Sequence, residues 1–399
     1  MIIRNERAFS IYVHIPFCRT LCTYCAFNTY AGMGGLIEPY VDAVCHEIAL
    51  VAAEHELSAH TLYFGGGTPS LLSVKQVERI VTAARRHLGL ASDAEVTLEA
   101  NPGSVDLATL RGYWKAGITR LSLGVQSAHP TDLHLFGRRH TFADAHASFD
   151  LARQAGYDDI SIDLIYGAMG QTLAGWKHTL NAVLDWEPEH FSLYSLILEP
   201  GTSLYGRVKR GTSPPPDDDL AADMYEFTVD RLAEAGYDHY EISTWGKPGH
   251  HSQHNRTYWR NEPFLGFGAG AHGAAYRADG RMVRYWCIDP IAEYIDRLYA
   301  ARPADWPFSP ALADYEIIDR VLEMSETAIL NLRMVSEGID RPAFQTRFST
   351  TVDEVFGPIL ADLAAWGLIE DDGRRVRLTR PGYLLSNQVF MRLLPEETR

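Results

Sequence analysis

Six short β-rich runs, each followed by a longer amphipathic stretch, constrain the fold of this 399-residue chain more than any other feature. The runs are Ser10–His14, Thr61–Phe64, Glu95–Glu99, Arg120–Gly124, Asp159–Leu164 and His190–Tyr194. Between them lie helix-patterned segments such as Tyr40 to Glu56 and Ser73 to His87, the second opening on a serine suited to capping. Regular strand–helix alternation implies parallel strands joined by right-handed crossovers. Six repeats point to an α/β fold, a partial (β/α)6 barrel with added strands.

Beyond Gly206 the rhythm changes. A proline-rich turn ending on Asp217, Asp218 and Asp219 precedes a helix expected to reach about Gly236, and Tyr237 to Trp286 reads as added strands and loops. A second break falls over 301–307. Helices are then expected at about Ala311–Met324, Asp340–Phe348 and Val352–Trp366, followed by a turn at Asp371–Gly373, a strand from Arg374 to Thr379 and a closing helix from Pro381. This is the pattern of a small winged-helix-like α+β domain. The expected divisions are 1–205 for the barrel core, 206–305 for its extension and 306–399 for the carboxyl-terminal domain.

In a parallel barrel, functional side chains come from the carboxyl ends of the strands. Here those ends deliver Cys18, Cys22 and Cys25, then Gly65-Gly66-Gly67-Thr68-Pro69, then Glu99 to Pro102, then Gly124 to Ser127, then Asp163. Three of the chain's five cysteines therefore share one loop. Three thiols cannot pair off into disulfides, and a closed zinc site wants four ligands. Three thiolates can hold three irons of a cubane cluster with the fourth iron open; three cysteines and a histidine on zinc is the competing reading. The glycines admit a ligand against bare backbone N–H groups, Glu99 or Asp163 can accept from ribose hydroxyls, and Arg138 can meet a carboxylate. Taken singly, each has a structural explanation: a tight turn, a cap, a surface ion pair. Cys45 and Cys287 read as buried packing thiols.

Composition narrows the setting. With 36 basic against 51 acidic residues, the formal charge of −15 argues against nucleic-acid binding. No charged-then-apolar leader is visible at Met1–Glu6 and no apolar run is long enough to span a bilayer, so the expectation is a cytoplasmic protein.

The C-x3-C-x2-C spacing of Cys18, Cys22 and Cys25, with Gly65-Gly66-Gly67-Thr68-Pro69, resembles the radical S-adenosylmethionine (SAM) enzymes. The phrases YVHIPFC, GGGTPS, EANPGS, LSLGVQS, DLIYG and HNRTYW, spread over nearly the whole chain, are similar to those of the oxygen-independent coproporphyrinogen dehydrogenase-like family. That resemblance implies a 4Fe–4S cluster on the three cysteines with SAM on the unique iron, cleaved on one-electron reduction to methionine and a 5′-deoxyadenosyl radical. Carried over residue by residue, Tyr12, Tyr24, Gly66, Gly67, Thr68 and Glu99 would contact SAM. Gln126, Arg138 and Asp163 would line a second SAM site or its surroundings.

Two departures resemble the family's haem-chaperone branch: Phe27 stands where the dehydrogenases carry a further cysteine, and the first strand begins almost at once. That branch also carries an H-N-x-x-Y-W motif, here His254 to Trp259. His254 is the candidate haem ligand, and on a helix it would share a face with His250. Tyr258, Trp259 and Gly266-Phe267-Gly268 would cover the macrocycle. The branch commonly reads C-P-Y-C-D-F, whereas this chain has Thr23 and Ala26 in place of the proline and the acid; a looser loop is expected. The basic strip Arg374, Arg375, Arg377 and Arg380 reads as a solvated wing, with haem propionates, anionic lipid or a partner as alternatives. The implied function is a haem carrier delivering its cargo to acceptor proteins, with peripheral contact at the inner membrane face among the expectations. Oxidative decarboxylation of coproporphyrinogen and SAM-dependent radical methylation are the competing enzyme readings.

Overall fold

A computed structural model describes residues 9–53, 55–300 and 304–395. The leader reading at 1–6 and part of the break over 301–307 lie outside the described residues.

The six runs form β1 (Phe9–Ile15), β2 (Ala59–Gly66), β3 (Glu95–Ala100), β4 (Arg120–Gln126), β5 (Ile160–Tyr166) and β6 (His190–Ser195). All five successive pairings are parallel. The crossovers carry α1 (Ile37–Ala52), α2 (Val74–Leu88), α3 (Leu107–Ala116), α4 (Phe142–Ala155) and α5 (Leu173–Leu184). Ser73 and Gln76 close a capping box on α2, and Gly89 ends it in the left-handed region at φ 63°. Asp217 caps α6 (Asp218–Glu234) through the Leu220 N–H.

Strand residues alternate sharply. Ile11, Val13, Leu62, Phe64, Leu98, Leu121, Ile162 and Leu193 join helix residues such as Val44, Val77, Leu110 and Leu180 in the main apolar core. The intervening residues are polar and bond across strands: Thr61 to Ser10, Tyr63 to Glu99, Ser122 to Asp163, Ser161 to His190. Each strand thus packs its apolar row under the helices and turns a polar row into the lumen.

The barrel stays open. β6 pairs onward with β8 (Thr244–Gly246) and then β7 (Asp238–Glu241), while β1 takes β9 (Phe264–Phe267) on its other side, followed by β10 (His272–Tyr276), β11 (Met282–Cys287) and β12 (Leu312–Ile318). The segment 237–286 also contains a helix, α7 (Gln253–Trp259), formed by the H-N-x-x-Y-W motif itself. Glu95, at the start of β3, accepts from the Gln253 and His254 N–H groups at 2.8 and 2.9 Å, and the Thr257 hydroxyl meets Ser10 at 2.7 Å. The helix therefore plugs the amino-terminal end of the strands. His250 precedes it, so the shared helical face with His254 does not form.

After α8 (Ile291–Ala300), the expected helix over 311–324 is instead the edge strand β12 followed by α9 (Arg320–Arg333). Strand β12 pairs with β11 in the large sheet, and a separate apolar cluster begins only at Met324. In that cluster, α9, α10 (Arg341–Phe348) and α11 (Val352–Ala365) pack with a three-stranded sheet of β13 (Ile339–Asp340), β15 (Arg375–Leu378) and β14 (Ile369–Asp371), a winged-helix-like arrangement. The unit is tied to the barrel by Arg333, which pairs with buried Glu241 at 2.6 Å and lies over the Trp259 ring. Acids compensate the basic strip: Arg375 pairs with Asp340, Arg377 with Glu370 and Asp372, Arg380 with Asp230. Arg374 stays exposed, facing Asp340 at 3.7 Å.

Candidate cluster and nucleoside site

After β1 the backbone pairs Phe17–Cys18 with Tyr30–Ala31, closing the base of a loop that holds Cys18, Cys22 and Cys25. All three thiols are free and half-buried. Thr23 does the opposite of loosening this loop. Its N–H donates to Phe136 O at 3.1 Å and its hydroxyl to Leu135 O at 2.6 Å, and a proline could make neither bond. Burial raises the Cys18 and Cys25 thiols above their ordinary pKa, with neighbouring thiols adding to it. The Thr68 hydroxyl points at Cys18 Sγ and the Arg138 guanidinium at Cys22 Sγ, each at 3.6 Å.

Three thiols on one short loop are the donor set of a cluster that leaves one iron open. Among the described residues no group of three or more His, Cys, Asp or Glu side chains is placed to hold a single metal ion. The glycine run packs directly on the cysteine loop: a Cβ on Gly67 would stand 3.0 Å from Cys18 Sγ and 2.7 Å from Phe17 O. Hydrogen-bond donors already face two of the sulfurs, as cluster thiolates require.

The strand ends build the rest. Gly66 has φ 109°, and a Cβ there would run into the His14 ring. Its N–H and the Tyr63 hydroxyl, at 2.9 Å, both donate to Glu99. Asn101 bridges the two sulfur-facing residues, donating to Thr68 Oγ1 at 3.0 Å and accepting from Arg138 Nη2 at 2.7 Å. Arg138 Nη2 also donates to Gly124 O at 2.6 Å, so this guanidinium nitrogen is spent on the protein. Gln126, buried at φ 69°, places its amide over Gly124. Asp163 accepts from Ser122 at 2.9 and 3.1 Å. Tyr12 bonds His14 Nδ1 at 2.9 Å and stacks on Tyr63, while Tyr24 packs edge-on to Phe136 beside the Arg138 charge.

Burial, then Asp163, raises Glu99 to about 7; burial likewise raises Asp163 to about 7, against the pull of Ser122, Arg120 and Arg138. Burial works against the Arg138 charge, yet Tyr24, Cys22 and Asp163 hold it firmly protonated. Both acids can therefore change charge near neutral pH. A cleft of about 310 Å³ against the thiol loop is lined by Cys22, Thr68, Asn101, Arg138 and Arg139, and neither acid lines it.

The structure thus brings together Tyr12, Tyr24, Gly66, Gly67, Thr68, Glu99, Gln126, Arg138 and Asp163 around the thiols. His254 lies apart from them. That imidazole is fully buried, with Nδ1 on Thr61 at 2.8 Å and Nε2 on Tyr258 at 2.7 Å, so both its nitrogens have protein partners. Gly266 to Gly268 lie in and beside buried β9, and Trp259 is covered by Arg333. Cys287 is buried as expected, whereas Cys45 is only half-buried. Sequence reasoning missed Tyr63, Asn101, His14 and Ser122. Their signal was present: Tyr63, His14 and Ser122 occupy the polar row of alternating strands, and Asn101 lies two residues past Glu99.

An open parallel barrel with three cysteines after its first strand defines a radical-SAM protein. The sequence profile of the Radical SAM superfamily matches residues 12–183, and that of the HemN C-terminal domain matches 321–385. The heme chaperone HemW of Bacillus subtilis is 37% identical over 97% of this chain and 99% of its own length. Its Escherichia coli namesake is 33% identical over 97% and 98%. The mouse protein called radical S-adenosyl methionine domain-containing protein 1, mitochondrial, is 34% identical over 97% and 87%. Among solved structures, coproporphyrinogen III oxidase (HemN) of E. coli superposes with a TM-score of 0.81 over 97% of this chain and 90% of that one, at 24% identity, a likeness of fold. This chain belongs to the HemW family of radical-SAM proteins. Membership of the radical-SAM superfamily implies a 4Fe–4S cluster and SAM.

Proposed function

We propose that this protein is a cytoplasmic haem carrier built on a radical-SAM scaffold, which binds haem and passes it to acceptor proteins. The observation that carries the reading is end-to-end similarity to the B. subtilis heme chaperone, covering barrel, floor helix and carboxyl-terminal unit alike. No helix among the described residues is long and apolar enough to cross a membrane. Cys18, Cys22 and Cys25 would hold three irons of the cluster, with Thr68 and Arg138 donating to the sulfurs. Glu99, oriented by Tyr63 and the Gly66 N–H, would accept the ribose hydroxyls of SAM, and Tyr12 and Tyr24 would wall the adenosyl group. Gln126, Arg138 and Asp163 would complete the lumen around it. When bound, the cluster and SAM supply one-electron chemistry; the chain's own residues position, neutralise and exclude water.

For the cargo we look first to the cluster loop. Phe27 is 71% exposed and Leu21 56% exposed, an apolar pair on the loop of the thiols where a flat macrocycle could rest. The test is a haem titration of anaerobically reconstituted protein, followed by mixing with an apo-acceptor and, separately, by single turnover with coproporphyrinogen, SAM and a reductant. Stoichiometric haem binding and transfer without porphyrinogen product support the carrier. Loss of two carboxyl groups from the porphyrinogen overturns it.

A further inference from the structure

The histidine of the floor helix is engaged on both sides. Thr61 gives its hydroxyl proton to Ser10 Oγ at 2.7 Å, so towards His254 it can only accept, and Nδ1 at 2.8 Å carries the proton. Nε2 is then an acceptor, to which Tyr258 donates at 2.7 Å. The same imidazole lies nearly face to face with Tyr63, with centroids 5.0 Å and planes 24° apart. Tyr63 in turn donates to Glu99 Oε1 at 2.9 Å. Tyr258 lies within electrostatic reach of the same carboxylate. Two opposed hydrogen bonds fix the ring's tilt, and Glu95 fixes the helix that carries it.

We propose that His254 is a positioning residue for the Glu99 site, holding Tyr63 and Tyr258 in the orientation in which Glu99 receives the ribose diol of an adenosyl ligand. The motif helix then serves the nucleoside pocket from below. This rests on the reading above that Glu99 contacts SAM, so the experiment must separate the two.

The full chain is reconstituted anaerobically and titrated with SAM by calorimetry, and the spin-resonance spectrum of the reduced cluster is recorded with and without SAM. Haem binding is followed in the same preparations by its absorption band. The variants are His254→Asn, which retains an amide near the Nδ1 position, His254→Gln, whose amide reaches towards Tyr258, Tyr63→Phe, Tyr258→Phe and Glu99→Gln. His254→Asn and Tyr63→Phe should each weaken SAM about five- to tenfold, the scale of one lost hydrogen bond, and blunt the SAM-induced spectral change. Iron content and haem affinity should stay at wild-type values, and His254→Gln should recover part of the SAM affinity. Loss of haem binding in His254→Asn with SAM affinity within twofold of wild type overturns the proposal in favour of ligation. If Glu99→Gln leaves SAM affinity unchanged, the underlying reading fails; if Glu99→Gln weakens SAM and the His254 variants do not, only this inference fails. Should the His254 variants not fold, unchanged SAM affinity in both Tyr63→Phe and Tyr258→Phe overturns it.

Discussion

The buried acids make SAM affinity a function of pH with a magnitude that can be worked out. Glu99 titrates at about 7 because it is buried and because Asp163 is near. Accepting both ribose hydroxyls at once requires the ionised carboxylate, whose population falls from about 0.9 at pH 8 to about 0.1 at pH 6. The affinity should therefore drop about tenfold across that interval, near 1.4 kcal/mol. At pH 7 binding should also release about half a proton from this group. The ligand's amine has its own titration, but that is common to wild type and Glu99→Gln, so the quantity to read is the ratio of their affinities. Calorimetry at pH 6, 7 and 8, in pairs of buffers with different ionisation heats, gives both the ratio and the proton count. Asp163→Asn removes one cause of the raised value and should move the midpoint to lower pH, whatever it does to absolute affinity. A ratio flat within twofold from pH 6 to 8, with equal proton release in the two proteins, refutes Glu99 as the acceptor.

Four further outcomes are expected. Gly67→Ala should leave the protein folded but short of iron, because the new methyl meets Phe17 O at 2.7 Å and Cys18 Sγ at 3.0 Å; iron and sulfide analysis checks it. Asn101→Ala should cost about 1–2 kcal/mol in denaturant melts and lower the cluster's reduction potential, since Thr68 and Arg138 lose their shared anchor and with it their aim at Cys18 and Cys22. His254, its pKa lowered to about 3 by burial and then by His60, is neutral in the fold while the unfolded chain protonates it near 6.5. Stability is therefore lost as pH falls from about 6.5 towards 3, by about 2 kcal/mol at pH 5, and His254→Asn should flatten that part of the profile. Arg333→Ala should destabilise by about 3 kcal/mol, leaving Glu241 buried without its partner and Trp259 uncovered; a urea melt reads it.

Much of the barrel is legible from local pattern. The six runs fall within two residues of their observed ends, and Ser73 and Asp217 cap the helices they open, because alternation and capping are settled by neighbours in sequence. The cysteine spacing and the glycine run are equally local. What escaped was decided at a distance. Strand β12 reads as helix because Ala311, Leu312, Tyr315 and Ile318 recur at helical spacing, yet pairing with Met282–Cys287 makes it an edge strand. Thr23 looked like a loss of stiffness, but its partners Leu135 and Phe136 lie more than a hundred positions away. His254 sits in a motif rich in aromatics, and nothing local says that Thr61 and Tyr258 will take both its nitrogens.

The two-sided strands have an evolutionary corollary. Stability and chemistry are spelled on alternate letters of the same six words, one set read by the helices and the other by whatever occupies the lumen. A lineage can rewrite the second text, exchanging Tyr63 or Ser122 for another polar side chain, while Leu62 and Leu121 go on specifying the same scaffold. Different chemistries can then share this one scaffold through changes at every second position, with the apolar rows left as they are.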